Sequence, residues 1–285
     1  MPGAFPQTLR TLGGLIQLVR PLNAVIAYGG VLVGGLLAGG ADVLTWSGLH
    51  LAALSVVLIA AGANADNDRL DLETDRHNRP DRPLPSGAVS TAVARWVWLS
   101  ATGAALVLAA LVSAVHLAIA AGSATLLAVY SRRLKSLPLL GNGVVAGVLA
   151  LALVYGGLAT GRGTGALVGA VFAFLTNLAR EVVKDVEDLE GDRVAGRQTL
   201  AVAWGADAAM RLAMGVVVVT LAVLPLPYLA LNFGGLFLLV GMGAAVALAV
   251  AFAQGRASSA GSASAALKTA MVLGIVALAL GRVTP

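Results

Sequence analysis

The chain predicts an all-α, polytopic membrane protein of nine spans, on three observations. Hydrophobic residues make up 58% of its 285 positions and charged residues 12%, about half the charged share of an ordinary soluble domain. Apolar stretches long enough to cross about 30 Å of hydrocarbon fall at 21–39, 48–66, 92–113, 115–131, 140–160, 164–184, 210–231, 233–253 and 267–283. The 19 Lys and Arg then sort by loop: 17 lie on one side, and only Arg162 and Arg282 on the other. By the positive-inside rule the N-terminus and the even-to-odd loops are cytoplasmic and the C-terminus is outside.

In chain order, residues 1–20 show no basic n-region, apolar h-region and small-residue cleavage site, so no cleavable signal is expected. Phe5, Leu9, Leu12, Ile16 and Val19 recur at helical spacing, which predicts an amphipathic helix on the bilayer surface leading into the first span. The third and fourth spans join through Ser113–His116, and the seventh and eighth at Asn232. The 35 glycines scatter through the spans and predict close helix packing. The small-residue run from Gln254 to Ala266 reads as a flexible linker. Trp46, Trp96, Trp98 and Trp204 fall near span ends, as an aromatic belt does. His50 and His116 read as interfacial and His77 as solvent-facing. The whole chain, 1–285, is expected to form one domain.

The net charge of +5 does not point to nucleic acid, because the basic residues sit in short loops between spans without interleaved aromatics. Cysteine is absent, which removes disulfides and thiolate metal sites. The metal chemistry left is oxygen-based.

The acidic residues carry the functional signal. Of 14, six lie between Asp66 and Asp81 and six between Glu181 and Asp192, with only Asp42 and Asp207 elsewhere. Asn64, Asp68, Asp71 and Asp75 step by 4, 3, 4, and so do Glu181, Asp185, Asp188 and Asp192. At that spacing each set lines one face of a helix. Like charges stacked on a helix repel, and acids at membrane depth are costly unless paired or functional. A divalent cation relieves both problems. Carboxylate and amide oxygens suit a hard ion, and Mg²⁺ prefers few protein ligands together with water and phosphate. With Arg76, Arg79, Arg82, Lys135 and Lys184 nearby in sequence, the pattern points to a metal-bridged diphosphate. Asn23 and Asn142 are polar groups within apolar spans and read as cavity-lining.

The run Asn67-Asp68-x-x-Asp71-x-x-x-Asp75, followed by NRPDRPLPSG, resembles the first aspartate-rich motif of the UbiA superfamily of intramembrane prenyltransferases. REVVKDVEDLEGDRVAGRQTL, from Arg180 to Leu200, resembles the second; RPLN at Arg20, YSRRLK at Tyr130 and the pair Gly141-Asn142 follow in family order. The resemblance covers essentially the whole chain. It implies nine helices around a central cavity, both motifs at the cytoplasmic mouth, Mg²⁺ as cofactor and an isoprenoid diphosphate as donor. Carried over by position, Asn67, Asp68, Asp71 and Asp75 hold one metal, with Asn64 beside them, and Asp185, Asp188 and Asp192 hold the other. Asp71, Asp75, Asp188, Asp192 and Lys135 are the catalytic candidates. Asn23, Arg76, Arg82, Tyr130, Lys135, Asn142, Arg180 and Lys184 are the substrate-binding ones.

Within the superfamily, the RPDRPLPSG tail and the REVVKD run look closest to the digeranylgeranylglyceryl phosphate synthases, which implies geranylgeranyl diphosphate as donor and geranylgeranylglyceryl phosphate as a lipophilic acceptor. Chlorophyll synthases and aromatic prenyltransferases share parts of these motifs and supply the alternative acceptors. A phosphorylated acceptor needs a second phosphate site, for which Arg132, Arg133 and Arg180 are candidates. A divalent-cation transporter is the alternative from another class; against it, no acid stands midway in a span to complete an ion path.

Overall fold

The computed structural model describes residues 7–231 and 233–283, with the side chains of Gln7, His77, Asn78, Ala230 and Leu231 left aside. Phe5, His77 and Asn232, which carried expectations above, therefore lie outside what is described. Fourteen α-helices follow one another: α1 (Gln7–Val19), α2 (Pro21–Gly39), α3 (Ser47–Leu70), α4 (Leu72–Asn78), α5 (Thr91–Val112), α6 (Ala114–Arg132) and α7 (Leu140–Leu158) make up the first half. The second half holds α8 (Leu167–Glu187), α9 (Leu189–Val194), α10 (Leu200–Trp204), α11 (Ala206–Val223), α12 (Leu226–Leu231), α13 (Gly235–Arg256) and α14 (Ala260–Val283). Nine stretches among the described residues are long and apolar enough to cross a membrane, matching the number of spans expected. Together with the family membership shown below, this makes the protein an integral, multi-pass membrane protein.

The chain forms two compact units, one of residues up to Gly29 with Leu51–Arg132, the other of Gly30–His50 with Arg133 onward. In the first unit α5 packs along α6. Leu18 of α1 is buried against Ala65, Leu84, Val89 and Ala94, and a Cβ on Gly14 would press on Val89 and Ala88. Helix α1 thus clamps the loop that follows the first acidic motif. Its Leu9, Leu12 and Ile16 are exposed, as a bilayer-surface helix requires. Arg20 separates α1 from α2 with φ of 54°, and Pro21 opens α2, where its missing N–H costs nothing.

In the second unit α8 packs on α7, α11 and α14, and α13 on α14. Small residues set the spacing. A Cβ on Gly34 would land on the Leu153 carbonyl, and one on Gly156 on the Val31 carbonyl, so α2 and α7 touch backbone to backbone there.

Two expectations need correction. Gln254–Ala266 is not a flexible linker: only Ala257–Ser259 separates α13 from α14, because Ala and Ser remain compatible with a helix and the reversal is made by Ser258 at φ of 55°. His116 is buried rather than interfacial; Ser113 Oγ lies 2.8 Å from its Nδ1 and accepts from its backbone N–H, closing the start of α6. The seventh span also breaks before α12, at a turn holding Pro225, which cannot continue a helix.

Gly156→Ala should destabilise the protein by about 1–3 kcal/mol through overpacking, lowering its thermal midpoint in detergent. Gly147→Ala, on the same helix with nothing within 4 Å of the added Cβ, should leave the midpoint unchanged.

Candidate active site

Both acidic motifs are built by the same backbone device. The helix preceding each one stops at an aspartate in the bridge region, Asp71 at φ −92°, ψ 6° and Asp188 at φ −93°, ψ 6°, and a short helix starts directly after it. Backbone bonds run into and out of each break: Asp71 N–H donates to Asn67 O and Asp75 N–H to Asp71 O, as Asp188 N–H does to Lys184 O and Asp192 N–H to Asp188 O. The expectation that each set lines one face of a continuous helix is therefore corrected. The i, i+4 bonds keep the register, while the bend at the central aspartate re-aims the residues beyond it.

In the first motif Asp66, Asp68, Asp71 and Asp75 are all buried. Arg20 Nη2 lies 2.6 Å from Asp68 Oδ1, and its Nη1 donates to Asn64 Oδ1 at 3.1 Å. Arg82 Nη1 donates to Asp75 Oδ2 at 2.6 Å and reaches Asp68 at 3.5 Å. Asn67 Nδ2 donates to Asp71 Oδ2, and Ser131 Oγ to Asn67 Oδ1. Two guanidiniums thus tie Asn64, Asp68 and Asp75 into one network. Arg20 was missed as a site residue; its signal was the Arg-Pro step at the entry to the first span, which sequence spacing alone reads as a topogenic charge.

Asp66 serves a different purpose. Arg69 donates to it at 2.7 Å and Arg132 at 2.8 Å, and the Arg132 guanidinium stacks 5.2 Å from the Trp98 ring. Arg132, expected above as a candidate for an acceptor phosphate, is engaged with buried Asp66 instead. Trp98 is likewise part of this contact rather than a free member of the aromatic belt. Arg76 pairs with Glu73 on the exposed side of α4, Asn23 is exposed in the first turn of α2, and Tyr130 is half-buried near the end of α6.

In the second unit Asn142, buried on α7, donates to Asp185 Oδ2 at 3.0 Å, and Leu200 N–H donates to the same oxygen at 3.2 Å. Asp185 thereby holds the start of α10. Lys184 donates to both Glu181 oxygens and Arg180 Nη1 to one of them. Asp192 is buried beside Arg197, 3.4 Å away; burial pushes its carboxyl above the usual range, with the Arg197 charge opposing. It accepts a proton at higher pH than a free carboxylate until a cation relieves it. Asp188 is exposed at the break, and Lys135 is half-buried in the turn Leu134–Ser136.

Among the described residues no three carboxylate or imidazole groups stand together as a ready-made metal cage. The donor set nevertheless fits Mg²⁺, which binds through one or two carboxylates, water and phosphate oxygens. The side chains are hard oxygen donors without competing Cys or His, and the buried Nε of Arg180, which has no partner among the described residues, is a donor suited to an anion.

Buried carboxylates and guanidiniums at the ends of apolar spans define a membrane-embedded enzyme acting on an anionic substrate. The chain belongs to the UbiA prenyltransferase family, whose model matches residues 27–276. It is 42% identical over 232 residues to a digeranylgeranylglyceryl phosphate synthase of Methanopyrus kandleri, covering 81% of this chain and 84% of that one. To the enzyme of the same name from Natronomonas pharaonis it is 38% identical over 271 residues, 94% and 96% of the two chains. A solved structure of a digeranylgeranylglyceryl phosphate synthase superposes with a TM-score of 0.77 at 28% identity, over 96% of this chain and 99% of that one.

Arg132→Ala should leave buried Asp66 with one guanidinium fewer and cost about 1–3 kcal/mol. Thermal unfolding in detergent checks this; the account expects a lower midpoint with substrate KM values unchanged.

Proposed function

We propose that the whole chain works as one Mg²⁺-dependent prenyltransferase domain that moves a geranylgeranyl group from its diphosphate to geranylgeranylglyceryl phosphate. The observation that carries this reading is the paired construction at Asp71 and Asp188, two identical helix breaks each setting carboxylates at the end of an apolar span. The acceptor rests on the shared name of relatives at 42% and 38% identity. In this reading both motifs and the N-terminus face the cytoplasm and the C-terminus lies outside.

In this assignment Asn67, Asp68, Asp71 and Asp75 hold one ion, with Asn64 keeping Arg20 in register, and Asp185, Asp188 and Asp192 hold the other. Bound Mg²⁺ supplies charge neutralisation to the diphosphate oxygens. Lys135, with Tyr130 near it in sequence, steadies the departing diphosphate; Arg180 and Lys184 add positive charge around it. The allylic C–O bond breaks with its electron pair leaving on the diphosphate. The apolar walls, with Asn142 among the few polar groups, keep water from the carbocation. The acceptor hydroxyl oxygen then bonds to C1 and gives up its proton to a carboxylate or to the released diphosphate. Arg76 belongs to the same basic set by sequence, though its pairing with Glu73 gives it a surface role first.

With labelled geranylgeranyl diphosphate, Mg²⁺ and a panel of geranylgeranylglyceryl phosphate, 4-hydroxybenzoate and a dihydroxynaphthoate, mass spectrometry should find the ether product alone. Asp71→Ala and Asp188→Ala should each lower turnover at least about a hundredfold, and chelation should do the same to wild type. Product on an aromatic acceptor instead would reassign the acceptor, and metal flux in liposomes without any prenylated product would refute the enzyme reading.

A further inference from the structure

A cleft of about 410 Å³ opens in the first unit, lined by Gln17, Arg20, Asp68, Arg79, Pro80, Asp81, Arg82 and Pro83. We propose that this cleft is the phosphate site of the acceptor, receiving the phosphate monoester of an isoprenoid glycerol lipid on the guanidiniums of Arg20, Arg79 and Arg82. The proposal rests on the function proposed above and assigns one substrate group within it.

Three features carry it. The first is how the sequence brings three arginines to one wall. Arg82 N–H donates to Arg79 O at 3.1 Å, so Arg79-Pro80-Asp81-Arg82 is a tight turn with proline where it favours one, and both arginines stand at its two ends. Arg20 comes from the α1–α2 junction opposite in sequence. The second is strain. Arg20 has φ of 54°, a conformation that costs an L-residue about 1–2 kcal/mol, and such outliers concentrate where a ligand is held. The third is the floor. Asp68 is buried and faces Arg20 at 2.6 Å and Arg82 at 3.5 Å, which holds two guanidiniums in place side by side. Of the five N–H donors each carries, these bonds use Nη1 and Nη2 once each on Arg20 and only Nη1 on Arg82. A fixed pair of guanidinium forks matches a phosphate's oxygens.

The location separates acceptor from donor. Gln17 belongs to α1, whose Leu9, Leu12 and Ile16 are exposed as on a bilayer-surface helix, and Arg20 stands where the first span begins. A lipid phosphate rides at that level with its chains in the hydrocarbon. The donor's diphosphate is assigned to the carboxylate-held ions, whereas the Asp68 oxygen that faces this cleft holds its two guanidiniums.

The test measures binding of geranylgeranylglyceryl phosphate, and of its dephosphorylated alcohol, to the full chain in neutral detergent, together with KM for each substrate. Wild type should bind the phosphate form at least tenfold more tightly than the alcohol. Arg79→Gln, at an exposed position, should weaken phosphate-lipid binding about tenfold, leave alcohol binding unchanged and keep the KM for geranylgeranyl diphosphate within about twofold. Equal binding of phosphate lipid and alcohol by wild type overturns the proposal. So does a rise in donor KM with acceptor KM unchanged. Tight, arginine-dependent binding of the phosphate lipid without ether product would sustain the cleft while refuting the function on which it rests.

Discussion

A carboxylate carried to the end of a membrane helix must be given a counter-charge, because burial without one costs several kcal/mol. Asp66, Asp68, Asp71 and Asp75 are all buried within ten positions of one another, and the first unit is arranged to meet that demand. Arg69 and Arg132 meet it for Asp66, Arg20 and Arg82 for Asp68 and Asp75, and Asn67 donates to Asp71. The clamp of α1 on the loop from Leu84 to Val89 keeps Arg20 and Arg82 within reach. In the second unit Asn142, the Leu200 N–H, Lys184 and Arg197 do the corresponding work.

The two networks divide by chemistry. Asp66 is closed: two guanidiniums and the Trp98 face surround it, which suits a structural lock. The network of Asn64, Asp68 and Asp75 borders an open cleft, so its charges remain addressable by an anion. Asp71 and Asp188, at the breaks, share the bridge-region conformation that ends one helix and starts the next. The two motifs share this construction although they lie far apart in sequence.

Much of this was legible in the residues. The nine spans followed from hydropathy and from the partition of Lys and Arg, since both respond to the same bilayer. The 4, 3, 4 spacing of the acids identified the motifs, because helical periodicity is local. The breaks at Asp71 and Asp188 were not legible: the next helix starts directly after each one, so the spacing of the acids stays helical. Arg20 was hidden for another reason, since its partners Asn64 and Asp68 lie more than forty positions away and only the fold brings them together. Arg132 reads from sequence as a phosphate-site candidate because nothing local pairs it with Asp66, 66 positions away. The run from Gln254 to Ala266 was misread as a linker because its small residues signal flexibility and helix equally, and the packing of α14 decides between them.

The claim on which the account depends is that the carboxylates of both motifs bind Mg²⁺ together with a diphosphate. The direct measurement is the thermal midpoint of the purified chain with a non-reactive prenyl diphosphate analogue as Mg²⁺ is titrated, in wild type, Asp71→Asn and Asp188→Asn. Ligand that binds only the folded protein raises its stability by mass action. The account predicts a rise that needs analogue and Mg²⁺ together and is lost in either variant; an equal rise in the presence of chelator, or an undiminished rise in both variants, would contradict it.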